Sequence, residues 1–207
     1  MNIRGILLAA GASRRFGGNK LVHPLPDDIA TGEAQPLALA SARKLLGVLP
    51  HTLAVVRPGS DELQAVLRAA GCEVSVCPRA DEGMGCSLAH AIAQSPDADA
   101  WVVALADMPY IAASSIEAVV TALQAGALIA MPVHEGRRGH PVGFAAALRK
   151  ELLALEGDEG ARRIVQGHLA ASQGDAGTAL HLIPVNDEGI VRDIDTRADL
   201  PVARAGK

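Results

Sequence analysis

The chain has 207 residues, 49% of them apolar and 20% charged, with a net charge of −4. That balance suits one domain with a full core and excludes a disordered chain. Only 2% of residues are aromatic and no basic run occurs, which argues against a nucleic-acid partner; no apolar stretch reaches the roughly 20 residues of a membrane span.

Ile3 to Leu8 reads as a buried parallel strand that runs into a Gly-rich stretch. Arg4 before the apolar run imitates a signal peptide, but Gly5 to Ala10 falls short of the ~7–15 residues of a secretory core and Arg14-Arg15 follow at once. Pro24 to Gln35 is rich in Pro, Asp and Gly and reads as a flap or hairpin. Pro36 to Leu46 has helical apolar spacing, Leu53 to Val56 is a strand, and Ser60-Asp61-Glu62 opens a helix that Gly71 ends. Next come a strand from Glu73 to Val76, a helix from Met84 to Gln94, a strand from Trp101 to Leu105 and a helix from Ser114 to Ala125. Strands are expected at Leu128–Met131, Pro141–Phe144, Leu180–Val185 and Gly189–Val191, and helices at Ala145–Ala154, Ala161–Ala171 and Thr196–Val202; Gln173 to Thr178 is a loop. Strands and helices thus alternate, which predicts a single α/β domain over residues 1–207, with a mainly parallel Rossmann-like sheet covered by helices on both faces.

In such a sheet, ligands bind beyond the carboxyl ends of the strands. The loop after the first strand holds Gly11, Gly17 and Gly18 with Arg14, Arg15 and Lys20. Glycines free backbone N–H groups to face an anion, and three cations suit a polyphosphate. The alternative is a solvated Gly-rich turn, and neither G-x-x-x-x-G-K-[ST] nor G-x-G-x-x-G is present. Asp107, in Leu105-Ala106-Asp107-Met108-Pro109, ends a strand on the same side, as a Mg²⁺ ligand or a turn cap. Gly83, Gly85, Cys86 and Ser87 form a helix start, itself an anion site, with Cys86 placed where a thiol pKa can fall. Arg138-Gly139-His140-Pro141 precedes a strand, and there a histidine is more often structural. Cys72, Cys77 and Cys86 are odd in number and lack metal spacing, so they are expected as reduced thiols in a cytoplasmic protein. The other six histidines show no paired ligand spacing.

The run Leu8-Ala9-Ala10-Gly11-Ala12-Ser13-Arg14-Arg15-Phe16-Gly17-Gly18-Asn19-Lys20 resembles the signature of the nucleotidyltransferase superfamily. More narrowly, the chain resembles the molybdenum-cofactor nucleotidylyltransferases, and among them the molybdopterin cytidylyltransferases. The resemblance implies that Leu8, Ala9, Ala10, Gly11, Ser13 and Arg14 wrap the nucleotide. It gives Lys20 and Arg15 the charge of the departing pyrophosphate, and it makes Asp107 a metal ligand. Gly83, Gly85, Cys86 and Ser87 would meet base and ribose. Arg138, Gly139 and His140, with Arg162 of Gly157-Asp158-Glu159-Gly160-Ala161-Arg162, would form the acceptor pocket. Asp193-Ile194-Asp195-Thr196 is similar to the family's closing turn, where Asp195 either joins the metal site or caps the last helix with Thr196. The implied substrates are CTP and molybdopterin cofactor, the cofactor Mg²⁺, and the consumer of the product a molybdenum hydroxylase. Guanylyl transfer to the same acceptor, a sugar-1-phosphate nucleotidyltransferase and a non-catalytic molybdopterin carrier remain as alternatives. Residues Leu21 to Leu37, with Asp27, Asp28 and Glu33, are longer and more acidic than the family's usual hairpin.

Overall fold

The computed structural model describes residues 1–13, 15–25, 34–172 and 180–201. Strand β1 (Ile3–Ala9) is followed by a short pair, β2 (Pro24–Leu25) and β3 (Gln35–Pro36), and by helix α1 (Leu37–Val48). Then come β4 (Thr52–Val56), α2 (Asp61–Ala69), β5 (Glu73–Val76), α3 (Met84–Ala93), β6 (Ala100–Leu105) and α4 (Ala113–Gln124). The chain continues through β7 (Ile129–His134), β8 (Arg137–Arg138), β9 (Val142–Ala145), α5 (Arg149–Leu153), α6 (Arg162–Ser172) and β10 (Leu180–Pro184).

The main sheet runs β10-β7-β9-β6-β1-β4-β5, with β8 added to β7. β1 lies parallel to β4 and β6, β4 to β5, and β7 to β10; β9 alone among these long strands runs antiparallel, wedged between β6 and β7. The α/β architecture expected from the alternation of elements is therefore present.

Side chains alternate across the sheet because a strand has period two. Ile3 and Leu7 of β1, Ala54 and Val56 of β4, and Val102 and Ala104 of β6 pack on one face with α1, α2 and α4. Ile6, Leu8, Leu53, Val55, Trp101 and Val103 pack on the other with α3, α5 and α6. Trp101 is fully buried, its indole N–H donating to Ser95 Oγ at 2.8 Å and the Arg149 guanidinium lying 4.6 Å from its ring centre.

Some expectations change. Gly189–Val191 is not a strand but part of a 3₁₀ turn over Glu188–Val191. Asp187 Oδ1 accepts the Gly189 N–H at 2.9 Å and curls the chain there, while its Oδ2 accepts from Ala112 N and Ser115 Oγ at 2.9 and 2.7 Å, capping α4 from 72 residues away. The helix expected at Thr196–Val202 is one 3₁₀ turn, Arg197–Asp199, because Leu200 turns extended before Pro201. Ser60 stands at the start of α2, where its carbonyl accepts the Gln64 N–H at 2.9 Å, but its side chain accepts no helix N–H; the hydroxyl donates to the Arg57 carbonyl at 2.6 Å. The flap closes at its base as an antiparallel pair, Pro24 opposite Pro36 and Leu25 opposite Gln35. Residues 26–33 between them, and the loop at 173–178, lie outside the described residues.

Candidate active site

The carboxyl ends of β1 and β6 lie side by side, with Leu8 opposite Leu105. The loops that leave them are therefore neighbours. Phe16 is buried and anchors the first loop, while Ser13 and Gly17 take positive φ (50° and 73°) so that the loop can turn back. Lys20 then enters the interior in a 3₁₀ turn over Lys20–Val22 and is only 7% exposed.

The Lys20 ammonium donates to Asp107 Oδ2 at 2.8 Å, to the Ile194 carbonyl at 2.8 Å and to Asp195 Oδ1 at 3.2 Å. Burial opposes its charge, but the hydrogen bonds and attraction of Asp107 and then Asp195 prevail and raise its pKa above the ordinary lysine value. Lys20 is therefore a fixed cation at neutral pH and not a general base. Arg15 is 74% exposed on its side chain and reaches Asp195 Oδ2 at 2.8 Å from the solvent side.

Asp195 is held in turn. The Ile194 N–H donates to the Asp107 carbonyl at 3.0 Å, which ties the closing turn to the end of β6. Asp199 Oδ2 accepts from Asp195 N, Thr196 N and Thr196 Oγ1 at 3.1, 2.7 and 2.8 Å. The capping role thus belongs to Thr196 and Asp199, and the Asp195 carboxylate is free to face Lys20 and Arg15.

Two hollows adjoin at this edge. One, of about 400 Å³, is bounded by Ala10 to Ser13, by Lys20 with Asp107 and Asp195, and by Ala80, Asp81, Gly83, Met84 and Ser87. The other, of about 670 Å³, has an apolar floor that includes Val103, Met131, Val142 and Phe144, and a polar rim of Arg138, His140, Glu159 and Arg162. Leu8, Met84, Leu105 and Asp158 belong to both walls.

A model for the MobA-like NTP transferase domain matches residues 5–173. This chain belongs to the MobA-like NTP transferase family. It is 32% identical over 209 residues to the purine catabolism protein PucB of Bacillus subtilis (strain 168), covering 97% of this chain and 95% of that one. The fold is similar to that of Rv0371c from Mycobacterium tuberculosis H37Rv, at 24% identity and a TM-score of 0.78 over 96% of this chain and 95% of that one. Rv0371c has also been solved in complex with manganese (22% identity, TM-score 0.74, 96% of each chain). Molybdopterin-guanine dinucleotide biosynthesis protein A from Archaeoglobus fulgidus gives a TM-score of 0.60 at 20% identity, over 95% of this chain and 94% of that one. The resemblance seen in the signature loop holds at the level of the family, and the protein is a nucleotidyltransferase.

Within this NTP transferase frame, most of the expected site residues gather on the two hollows. Leu8, Ala10, Gly11, Ser13, Arg15, Lys20, Gly83, Ser87, Asp107 and Asp195 line the first. Arg138, Gly139, His140 and Arg162 line the second. Three do not face them. Ala9 is 1% exposed and packs in the core on the α1 face, because side chains on β1 alternate. Cys86 is 5% exposed, with its thiol 3.8 Å from Glu82 Oε2, so it is not a wall of the cleft. Gly85 is occupied by a neighbouring loop: its N–H donates to the Gly157 carbonyl at 2.7 Å, and a Cβ would fall 2.6 Å from Glu156 O. Arg14 lies outside the described residues.

Several wall residues were not singled out from the sequence. Asp81, Met84, Leu105 and Glu159 are among them, as is Asp158, which sits in the Gly157–Arg162 segment where only Arg162 had been assigned a role. His140 is half-buried; burial holds its pKa below the ordinary value despite the Val103 carbonyl and the charges of Asp107 and Asp193, and its Nδ1 is buried without a protein partner among the described residues. Among the described residues no group of three or more His, Cys, Asp or Glu forms a complete metal cage. Asp107 and Asp195 meet on one ammonium at the cleft, and two carboxylate faces open to phosphate oxygens and water suit a hard divalent cation. No helix among the described residues is long and apolar enough to cross a membrane.

Proposed function

We propose that this nucleotidyltransferase, a single domain, moves CMP from CTP to the terminal phosphate of molybdopterin cofactor and releases pyrophosphate. The observation that supports it best is the pair of adjoining hollows, one bearing the signature loop with Lys20 and the two aspartates, the other an apolar floor rimmed by Arg138 and Arg162. The first suits a nucleoside triphosphate. The second suits a flat heterocycle that carries a phosphate, which the arginines can grip in fork geometry.

The acceptor phosphate oxygen attacks the α-phosphorus as the bond to the β-phosphate oxygen breaks, and no covalent enzyme intermediate is required. The protein contributes alignment and charge, as phosphoryl transfer generally demands. Lys20 and Arg15 stabilise the negative charge that grows on pyrophosphate. Leu8, Ala10, Gly11, Ser13 and the undescribed Arg14 hold the nucleotide, with Gly83 and Ser87 beside its nucleoside end. Arg138, Gly139, His140 and Arg162 seat the acceptor. Mg²⁺ held by Asp107 and Asp195 would screen the phosphates and make the α-phosphorus more electrophilic. The product would serve a molybdenum hydroxylase in the cytoplasm; the 32% identical relative is named for purine catabolism.

The deciding experiment incubates the protein with molybdenum-loaded cofactor and each of the four ribonucleoside triphosphates and measures pyrophosphate. CTP should give the fastest release. Preference for GTP would replace the reading with guanylyl transfer, and release with a sugar 1-phosphate but not with the cofactor would replace the acceptor.

A further inference from the structure

We infer that Asp158 recognises the ribose hydroxyls of the nucleotide and so separates ribonucleotides from their deoxy analogues. Asp158 is exposed and belongs to the wall that the two hollows share. Its Oδ1 lies over Gly83 at the start of α3, 2.5 Å from where a Cβ would stand, so the absence of a side chain there leaves the carboxylate its place. Among the described residues no hydrogen bond or ion pair engages that carboxylate, and the clamp of its loop onto α3 is made by backbone, Gly85 N–H to the Gly157 carbonyl at 2.7 Å. The other carboxylates of the first hollow are committed: Asp107 and Asp195 to Lys20, and Asp81 to Arg57.

A carboxylate only accepts hydrogen bonds, so its ligand must donate. Phosphates do not donate at neutral pH, and they are drawn to Lys20 and Arg15. The α-phosphorus is where the two substrates meet. The ribose is the next group along the nucleotide, and the base lies farthest from the junction. A free acceptor at the junction, beside Gly83, which the proposed function sets at the nucleoside end, therefore meets the 2′- and 3′-hydroxyls. This inference rests on nucleotidyl transfer but not on the identity of the base.

The test compares kcat/KM for the triphosphate that releases pyrophosphate fastest with that of its 2′-deoxy and 3′-deoxy forms, in wild type, Asp158→Asn and Asp158→Ala. Wild type should favour the ribonucleotide over at least one deoxy form by about 10- to 100-fold, the size expected when a hydrogen bond to a charged group is lost. Asp158→Ala should slow the ribonucleotide and bring the ratio to within about threefold, with Asp158→Asn, which keeps an acceptor oxygen, in between. A wild type indifferent to both hydroxyls overturns the inference. So does an unchanged ratio in Asp158→Ala, whether both nucleotides slow equally or only the acceptor KM rises. If the Ala variant unfolds, the Asn variant decides by the same ratio. A base preference other than cytosine sinks the cytidylyl reading alone and leaves this comparison intact.

Discussion

Lys20 keeps its charge in a buried place because two carboxylates and a main-chain carbonyl surround it. It holds Asp107 and Asp195 together, and in the proposed reaction it would be a fixed cation for the leaving group. Lys20→Ala should therefore lower kcat more than it raises the apparent KM for nucleotide, since charge on pyrophosphate grows as the bond breaks. Unchanged kcat with a raised KM would reduce it to uniform binding. Asp107→Asn keeps the size and one acceptor oxygen but removes charge from the proposed metal site, and turnover should fall on the order of 10²-fold or more with an unchanged circular dichroism spectrum. Near wild-type turnover at limiting Mg²⁺ would remove Asp107 from the metal site. Ala10 is 7% exposed on the wall of the first hollow. If, as proposed, its methyl narrows the slot beside the base, Ala10→Gly should narrow a CTP-over-GTP preference by at most about 10- to 200-fold, the worth of one methyl. An identical kcat/KM ratio in the variant would show that the selectivity resides elsewhere.

At the scale of elements, β9 is the part that adds the second hollow to the edge of the sheet. It runs antiparallel beside β6, with Val142 opposite Val103, so the residues that precede it arrive at the carboxyl edge of the parallel strands. That brings Arg138, Gly139 and His140 to the cleft. The approach is tight: the His140 N–H donates to the Ile190 carbonyl at 2.8 Å, and a Cβ on Gly139 would collide with that same carbonyl. Gly139→Ala should thus push the segment off the Ile190 turn and destabilise the fold by about 1–3 kcal/mol, as overpacking does. Urea unfolding measures this, and a midpoint equal to that of wild type would mean that the turn yields freely.

For the whole molecule, two histidines make stability sensitive to acid just below neutral pH. Burial lowers the pKa of both His140 and His90, and His90 Nε2 lies 2.8 Å from Ser75 Oγ. Each binds its proton more readily in the unfolded chain, whose histidine pKa is about 6.5. Their contribution to stability is therefore complete above that value and is lost as pH falls below it, through the lower folded values. The urea midpoint should hold from pH 8 to 7 and drop from pH 6.5 to 5.5, and a double variant His90→Gln with His140→Gln should show a shallower drop. An equally steep drop in the double variant would assign the sensitivity to other groups.

The residues themselves determined the alternation of β and α elements, because apolar period and Gly or Pro stops are local properties, as in β1, α3 and β6. The first loop and Asp107 could be placed at a ligand position for a similar reason, since they follow strand ends of an open parallel sheet, but only the resemblance gave them their roles. Chain direction was not legible, since an apolar run such as Val142–Ala145 reads alike in either sense, and only its neighbours β6 and β7 made β9 antiparallel. The turn at Glu188–Val191 was misread as a strand because the Asp187 that curls it through Gly189 is itself held at Ser115, 72 residues away, and Gly189 packs tightly on the Tyr110 backbone. The same limit applied to the site. The resemblance put Gly85 and Cys86 at the nucleotide, yet packing turned one against the loop at Gly157 and buried the other beside Glu82. The meeting of Lys20, Asp107 and Asp195 spans up to 175 residues and has no local signature, so packing alone decided it.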